Sequence, residues 1–184
     1  MTVDQGRIEA AVAELLAAIG EDATRPGLQR TPKRVAEAYA EYFAGMGVDP
    51  VQVLRDGVDA AGDGERGDLV LLRGLEFRSM CEHHLLPFRG VAHVGYLPAD
   101  RMVGLSTLAR VVEYFARDLQ MQERMTTDIA AWIERELQPR GTGVMIEAEH
   151  LCMSMRGVGT PDVRATTSIF RGTFTAADLE GARR

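Results

Sequence analysis

The sequence predicts an α+β domain with an antiparallel sheet backed by helices, preceded by an N-terminal helical segment. Three observations lead there. Helical and strand-like segments come in separate blocks rather than in strict alternation. The chain has no internal repeat and no low-complexity tract. At 184 residues, 46% hydrophobic and 26% charged, it has the length and balance of one soluble domain with a sizeable core.

Taken in order, Ile8, Val12, Leu15 and Ile19 follow helical spacing, with Gly20 as the stop. A second helix starts at Thr31-Pro32, where threonine caps and proline suits the first turn, and its apolar face is Val35, Tyr39, Tyr42 and Phe43. Residues 1–58 form this helical segment. Residues 59–68, rich in Gly, Asp and Ala without periodicity, read as a mobile loop, and 69–184 as the main domain, all within a single structural unit. Strands are expected at 69–77 and 90–97. Leu108, Val111, Val112, Phe115 and Leu119 define a third helix, and Met125, Ile129, Trp132, Ile133 and Leu137 a fourth. Strand chemistry returns at 144–153 and 165–174.

A net charge of −6 argues against a general nucleic-acid or anionic-membrane surface, so an anionic substrate requires a local positive cluster. Arginine supplies almost all the positive charge, with Lys33 the single lysine. No apolar run nears the ~20 residues of a bilayer span, and the first residues lack a signal-peptide pattern, so the cytoplasm is expected. Reducing conditions there keep Cys81 and Cys152 as thiols.

Chemistry concentrates in Cys81-Glu82-His83-His84 and His150-Leu151-Cys152, which hold both cysteines and three of the four histidines. In Cys81-x-x-His84 two ligand atoms converge from one turn, a recurrent zinc spacing. Along an extended strand Val144, Ile146, Ala148, His150 and Cys152 share a face, which directs Cys152 in as third ligand. Two thiolates and an imidazole favour zinc, and three protein ligands leave one position for water. His83 and His150 are then free for proton transfer. Two plainer readings compete: apolar filler cysteines with satisfied histidines, or a Cys81–Cys152 disulfide. His93, alone in a strand, reads as a core or interface histidine.

These stretches carry a resemblance. Ser79-Met80-Cys81-Glu82-His83-His84-Leu85-Leu86-Pro87-Phe88 resembles the signature of the GTP cyclohydrolase I family. So do Gly104-Leu105-Ser106 with Leu108-Ala109-Arg110, Gln120-Met121-Gln122-Glu123-Arg124, Glu149-His150-Leu151-Cys152-Met153 with Arg156-Gly157, and Thr31-Pro32-Lys33-Arg34. The resemblance implies the tunnelling fold, a homodecamer with active sites between subunits, and conversion of GTP to 7,8-dihydroneopterin triphosphate and formate. It implies Zn2+ held by Cys81, His84 and Cys152. A water activated there would attack C8 of the purine, with His83 as general acid/base and His150 assisting ring cleavage and ribose opening. Glu123 matches the carboxylate that anchors guanine, with Gln122 supporting the base. Arg34, Arg110 and Arg156 match triphosphate positions, and Ser106 a residue near ribose and phosphates. Taken singly, Glu123 is an ordinary helix N-terminal glutamate and each arginine a solvated charge. An alternative is another tunnelling-fold enzyme acting on a pterin or deazapurine, or a non-catalytic assembly.

Two stretches depart from the family's pattern. Thr107 stands where the family has a lysine, and Asp118-Leu119 where it has Arg-Pro. Loss of that ammonium group is expected to weaken triphosphate binding by ~1–3 kcal/mol, so that Thr107→Lys would lower the Michaelis constant, unless Arg164 compensates.

Overall fold

The computed structural model describes residues 3–49, 58–60, 69–157, 159–160 and 162–181. It divides into two compact units, Met1–Val48 and Asp49–Arg184, where the sequence had suggested one unit with its helical segment running to residue 58.

The first unit is a pair of helices, α1 (Gln5–Ala18) and α2 (Thr31–Tyr42). The Asp4 carboxylate caps α1 by accepting from the Arg7 amide at 3.0 Å, and Gly20 ends it in the left-handed region at φ 85°. Of the expected apolar stripe Ile8 and Val12 are half-buried, but Leu16 replaces Leu15 as the buried residue, and Leu15 and Ile19 are 59% and 66% exposed. Thr31 is the first helical residue of α2 rather than its cap: Arg30 stands at the cap without a side-chain hydrogen bond. Tyr39 and Phe43 stack one turn apart at 5.4 Å.

The second unit contains β1 (Val58–Ala60), β2 (Val70–Cys81), β3 (Pro87–Leu97), β4 (Arg101–Val103), α3 (Leu105–Ala116), β5 (Leu119–Gln120), α4 (Gln122–Leu137), β6 (Gly141–His150), α5 (Leu151–Ser154), β7 (Ala165–Gly172) and α6 (Ala176–Gly181). Residues 59 and 60, expected in the loop, pair as β1 with β4, while 61–68 lie outside the described residues. The main sheet has the order β5-β2-β3-β6-β7. Every pairing is antiparallel except that of β5 with β2. The expected antiparallel sheet is therefore mixed at one edge. Gly74, at φ 69°, sits in the bulge that shifts the β2–β3 register between Leu72 and Leu75.

Alternation decides which sheet face is covered. Val144, Ile146 and Ala148 of β6, with Ala92, Val94 and Tyr96 of β3, are all fully buried. Against them lie Leu108, Val111 and Val112 of α3 and Met125, Ile129, Trp132, Ile133 and Leu137 of α4, forming one core cluster. The 3.6-residue period of α4 thus reads directly as burial. Gln138, in the left-handed region at φ 48°, and Pro139 stop that helix. Leu119, expected as the end of α3, belongs instead to β5.

Close approach of two strands requires Gly90. A Cβ there would stand 1.9 Å from the Glu147 carbonyl oxygen and 2.7 Å from Ala148 Cα, both backbone atoms that cannot give way. Gly90→Ala is expected to destabilise the fold by about 3 kcal/mol, the upper end of overpacking costs. A denaturant midpoint unchanged from the parent chain would contradict this.

Candidate metal centre and catalytic site

The site forms where β2 and β6, the strands either side of β3, run out. Cys81 is the last residue of β2. A tight turn follows, closed by the Leu85 amide donating to the Cys81 carbonyl and the Cys81 amide donating to the Leu86 carbonyl, each at 2.9 Å. Leu85 takes a positive φ of 51° to complete it. The turn brings His84 Nδ1 to 3.9 Å from Cys81 Sγ.

Cys152 arrives differently from the sequence expectation. The strand ends at His150, and Cys152 lies in the single helical turn of α5. That turn still carries its thiol inward: one ligand atom each from Cys81, His84 and Cys152 lie within 4.8 Å of one another. Zinc–sulfur bonds of about 2.3 Å and zinc–nitrogen bonds of about 2.0 Å imply donor separations of roughly 3.5 Å, so a small contraction would complete a three-donor site. Both cysteines are free thiols. Burial pushes the Cys152 thiol up, the Cys81 thiol beside it pushes the same way, and Arg156 pulls weakly back. A divalent cation beside Cys152 would supply the positive charge that its thiolate needs. The donor set fits zinc.

His83, on the same turn, is 60% exposed and stands apart from the trio, its Nε2 3.9 Å from Glu82 Oε1. The other Glu82 oxygen pairs with Arg124 at 2.6 Å, and Arg124 also donates to the Leu119 carbonyl and to Gln120 Oε1. This clamp ties the turn to β5 and α4. Glu82 and Arg124 lay within the quoted motifs without an assigned role, because only the fold brings them together.

His150 is half-buried and stacks on Phe88, its partner across β3 and β6, with ring centroids 4.7 Å apart and planes within 2°. Its Nε2 lies 2.7 Å from Gln122 Oε1. Burial pushes this imidazole below its ordinary value, and the Glu123 carboxylate offsets part of that. His150 is accordingly neutral near pH 7. The sequence reading did not link Phe88 to His150; the β3–β6 register does.

Glu123, in the first turn of α4, is exposed, whereas its neighbour Gln122 is 1% exposed. Ser106 and Arg110 lie on α3, and both are exposed, as are Arg156 and Arg164. Arg34, exposed in the first turn of α2, belongs to the other unit. Thr107, where the family pattern has lysine, is a buried residue of α3. It is 2% exposed and its hydroxyl accepts from Arg110 Nη2 at 3.2 Å.

Two thiols and an imidazole around one point, with His83 and His150 next to them in sequence, make a donor set suited to one soft-ligand divalent ion. Comparison with known proteins makes this specific. A family model described as GTP cyclohydrolase I matches residues 8–182. GTP cyclohydrolase 1 of Mycolicibacterium vanbaalenii is 53% identical over 173 residues, 93% of this chain and 84% of that protein. That of Streptomyces griseus is 52% identical over 171 residues, 92% of this chain and 83% of that protein. That of Dehalococcoides mccartyi is 51% identical over 173 residues, 93% of this chain and 89% of that protein. Among solved structures, an archaeosine synthase QueF-Like in the apo form aligns at 14% identity with a TM-score of 0.49, covering 60% of this chain and 100% of that one. The chain belongs to the GTP cyclohydrolase I family of enzymes, on the strength of the sequence relatives.

Proposed function

We propose that this chain is a zinc-dependent GTP cyclohydrolase I, with the tunnelling fold, which converts GTP and water to 7,8-dihydroneopterin triphosphate and formate. The observation that carries the reading is the convergence of Cys81, His84 and Cys152 within 4.8 Å. When bound there, zinc would supply Lewis acidity and bring the pKa of a water towards ~7.

The chain's own residues do the rest. The Glu123 carboxylate accepts from the N1–H and 2-amino donors of guanine, a pair that adenine does not offer. His83, exposed on its turn and backed by Glu82, exchanges protons with the imidazole ring of the purine as it opens. His150, neutral at working pH, accepts and returns protons during ring cleavage and ribose opening. Ser106 lies beside the ribose and phosphates. Arg110 and Arg156 bind the triphosphate; the family resemblance gives Arg34 a triphosphate role as well, at the N-terminal end of α2 where the helix dipole favours anions.

A second copy of the chain completes the site in this reading. Leu85, Met153 and Met155, on the two segments that carry the ligands, are 52%, 42% and 75% exposed, an apolar rim suited to burial between subunits. The family resemblance makes that assembly a homodecamer. The cytoplasm is the proposed location; no helix among the described residues is long and apolar enough to cross a membrane.

One preparation tests the whole reading. Incubated with GTP, it should release formate and a pterin that fluoresces after oxidation, contain zinc, and scatter light as an oligomer. Absence of formate would end the reading, leaving an enzyme acting on a pterin or deazapurine as its successor.

Thr107 gives a narrower prediction. Its hydroxyl fixes Arg110, so Thr107→Val should free that guanidinium and raise the Michaelis constant for GTP about 3–10-fold, with turnover little changed. Thr107→Lys should not lower the constant: it removes the same hydrogen bond and places a like charge against Arg110. A lowered constant in Thr107→Lys would show that position 107 reaches the phosphates directly.

A further inference from the structure

We infer that Gln122 is a positioning residue for His150: its amide, locked inside the protein, keeps the His150 proton on Nε2 and leaves Nδ1 as the imidazole's free acceptor. The inference deepens the proposed proton-transfer role of His150 and rests on it for its catalytic consequence.

The argument is a count of donors and acceptors. Gln122 Nε2 lies 3.0 Å from the Ile146 carbonyl oxygen, 3.0 Å from the Ala165 carbonyl oxygen and 3.1 Å from Thr167 Oγ1. Two of these partners can only accept, so the amide nitrogen must face them. A flipped amide would set Oε1 against two carbonyl oxygens inside the protein. The hydroxyls agree with this orientation. Thr126 Oγ1 donates to the Gln122 carbonyl at 2.7 Å and therefore accepts from Thr167 Oγ1, also at 2.7 Å. Thr167 is then left to accept from Gln122.

With the nitrogen side fixed, Oε1 is what stands 2.7 Å from His150 Nε2. An amide oxygen only accepts, so Nε2 carries the proton. Phe88 sets the plane of the ring by stacking, and Gln122 sets one edge. The neutral ring then presents a single lone pair, on Nδ1.

Gln122 also has nothing left for substrate. It is 1% exposed, and its two amide hydrogens serve three acceptors. The sequence resemblance placed it beside the guanine. The geometry assigns it instead to the imidazole, through which it acts on the reaction.

Magic-angle-spinning NMR of the purified assembly, labelled with ring-15N histidine, reads the tautomer directly. The chain has four histidines, so subtraction of the His150→Gln spectrum isolates the signal. A protonated Nε2 with a bare Nδ1 is expected; a protonated Nδ1 in the neutral ring would overturn the inference. Gln122→Met, close in shape but without the amide, is the second arm. It should show a mixed or reversed tautomer and a turnover number lower by about 10²-fold, with the Michaelis constant for GTP within about twofold of the parent. A Michaelis constant raised tenfold with turnover preserved would place Gln122 on the guanine and refute the assignment. Should the variant fail to assemble, the spectrum of the native protein still decides. If the native protein released no formate, the functional reading would fall while the tautomer measurement judged the positioning separately.

Discussion

A chain carrying Cys152→Ser is expected to fold and to lose its zinc and its formate release together. Serine keeps the shape but not the chemistry, because a hydroxyl does not ionise beside a divalent cation as a thiol does. Cys152 is one of only two sulfur donors, and the remaining Cys81 and His84 come from a single turn. Without the closing ligand from α5 the ion would be held from one side. Zinc should fall from about one per chain towards background, and activity by several orders of magnitude, since the activated water goes with it. The fold should survive. Trp132, Tyr96, Phe88, Leu108 and Met125 are at most 1% exposed, and this core is far larger than that of a small zinc-dependent domain. Far-UV circular dichroism should match the parent. Full activity in a zinc-free preparation would defeat the metal assignment outright.

The second large effect separates two adjacent imidazoles. His83→Ala should retain zinc and lose about 10²–10⁴-fold in turnover, the usual worth of a general acid/base. His84→Ala should lose zinc and turnover together. The difference follows from position: His84 Nδ1 is 3.9 Å from Cys81 Sγ, whereas His83 faces solvent and Glu82. Zinc lost equally from both variants would mean that His83 shares in coordination.

Local periodicity was legible where one face of an element meets one core. Met125, Ile129, Trp132, Ile133 and Leu137 were all read as one stripe, and all are buried. The reading failed where burial is shallow. In α1 Leu16 is the one fully buried residue, and spacing alone does not separate it from Leu15 on a helix whose other apolar residues are half-buried or exposed. The turn from β6 into α5 was also hidden, because Leu151, Cys152 and Met153 suit strand and helix alike and the choice is made by tertiary contacts. The ligand trio was visible as composition: scarce residue types at a recurrent spacing. What surrounds it was not. The Glu82–Arg124 clamp, the Thr107–Arg110 bond and the Gln122–His150 bond join residues whose partners are chosen by the fold or whose exposure no local pattern records.

The sheet register acts as a ruler for the metal centre. Met80 pairs with Pro87, and Phe88 with His150, so both thiols are measured off from β3. A strand advances about 3.3 Å per residue, more than a zinc–sulfur bond of about 2.3 Å. One residue inserted in β3 near Pro87 would therefore take a thiol out of reach and turn its neighbours to the opposite face. The same insertion between Pro98 and Asp100, or beside Pro139, falls at the far end of the ladder, beyond the pairing of Leu97 with Gly141. There a loop can absorb it. Changes in chain length thus have an address in this protein: natural or engineered insertions belong at the end remote from Cys81, and one found at the near end should come with a matching change in the strand beside it.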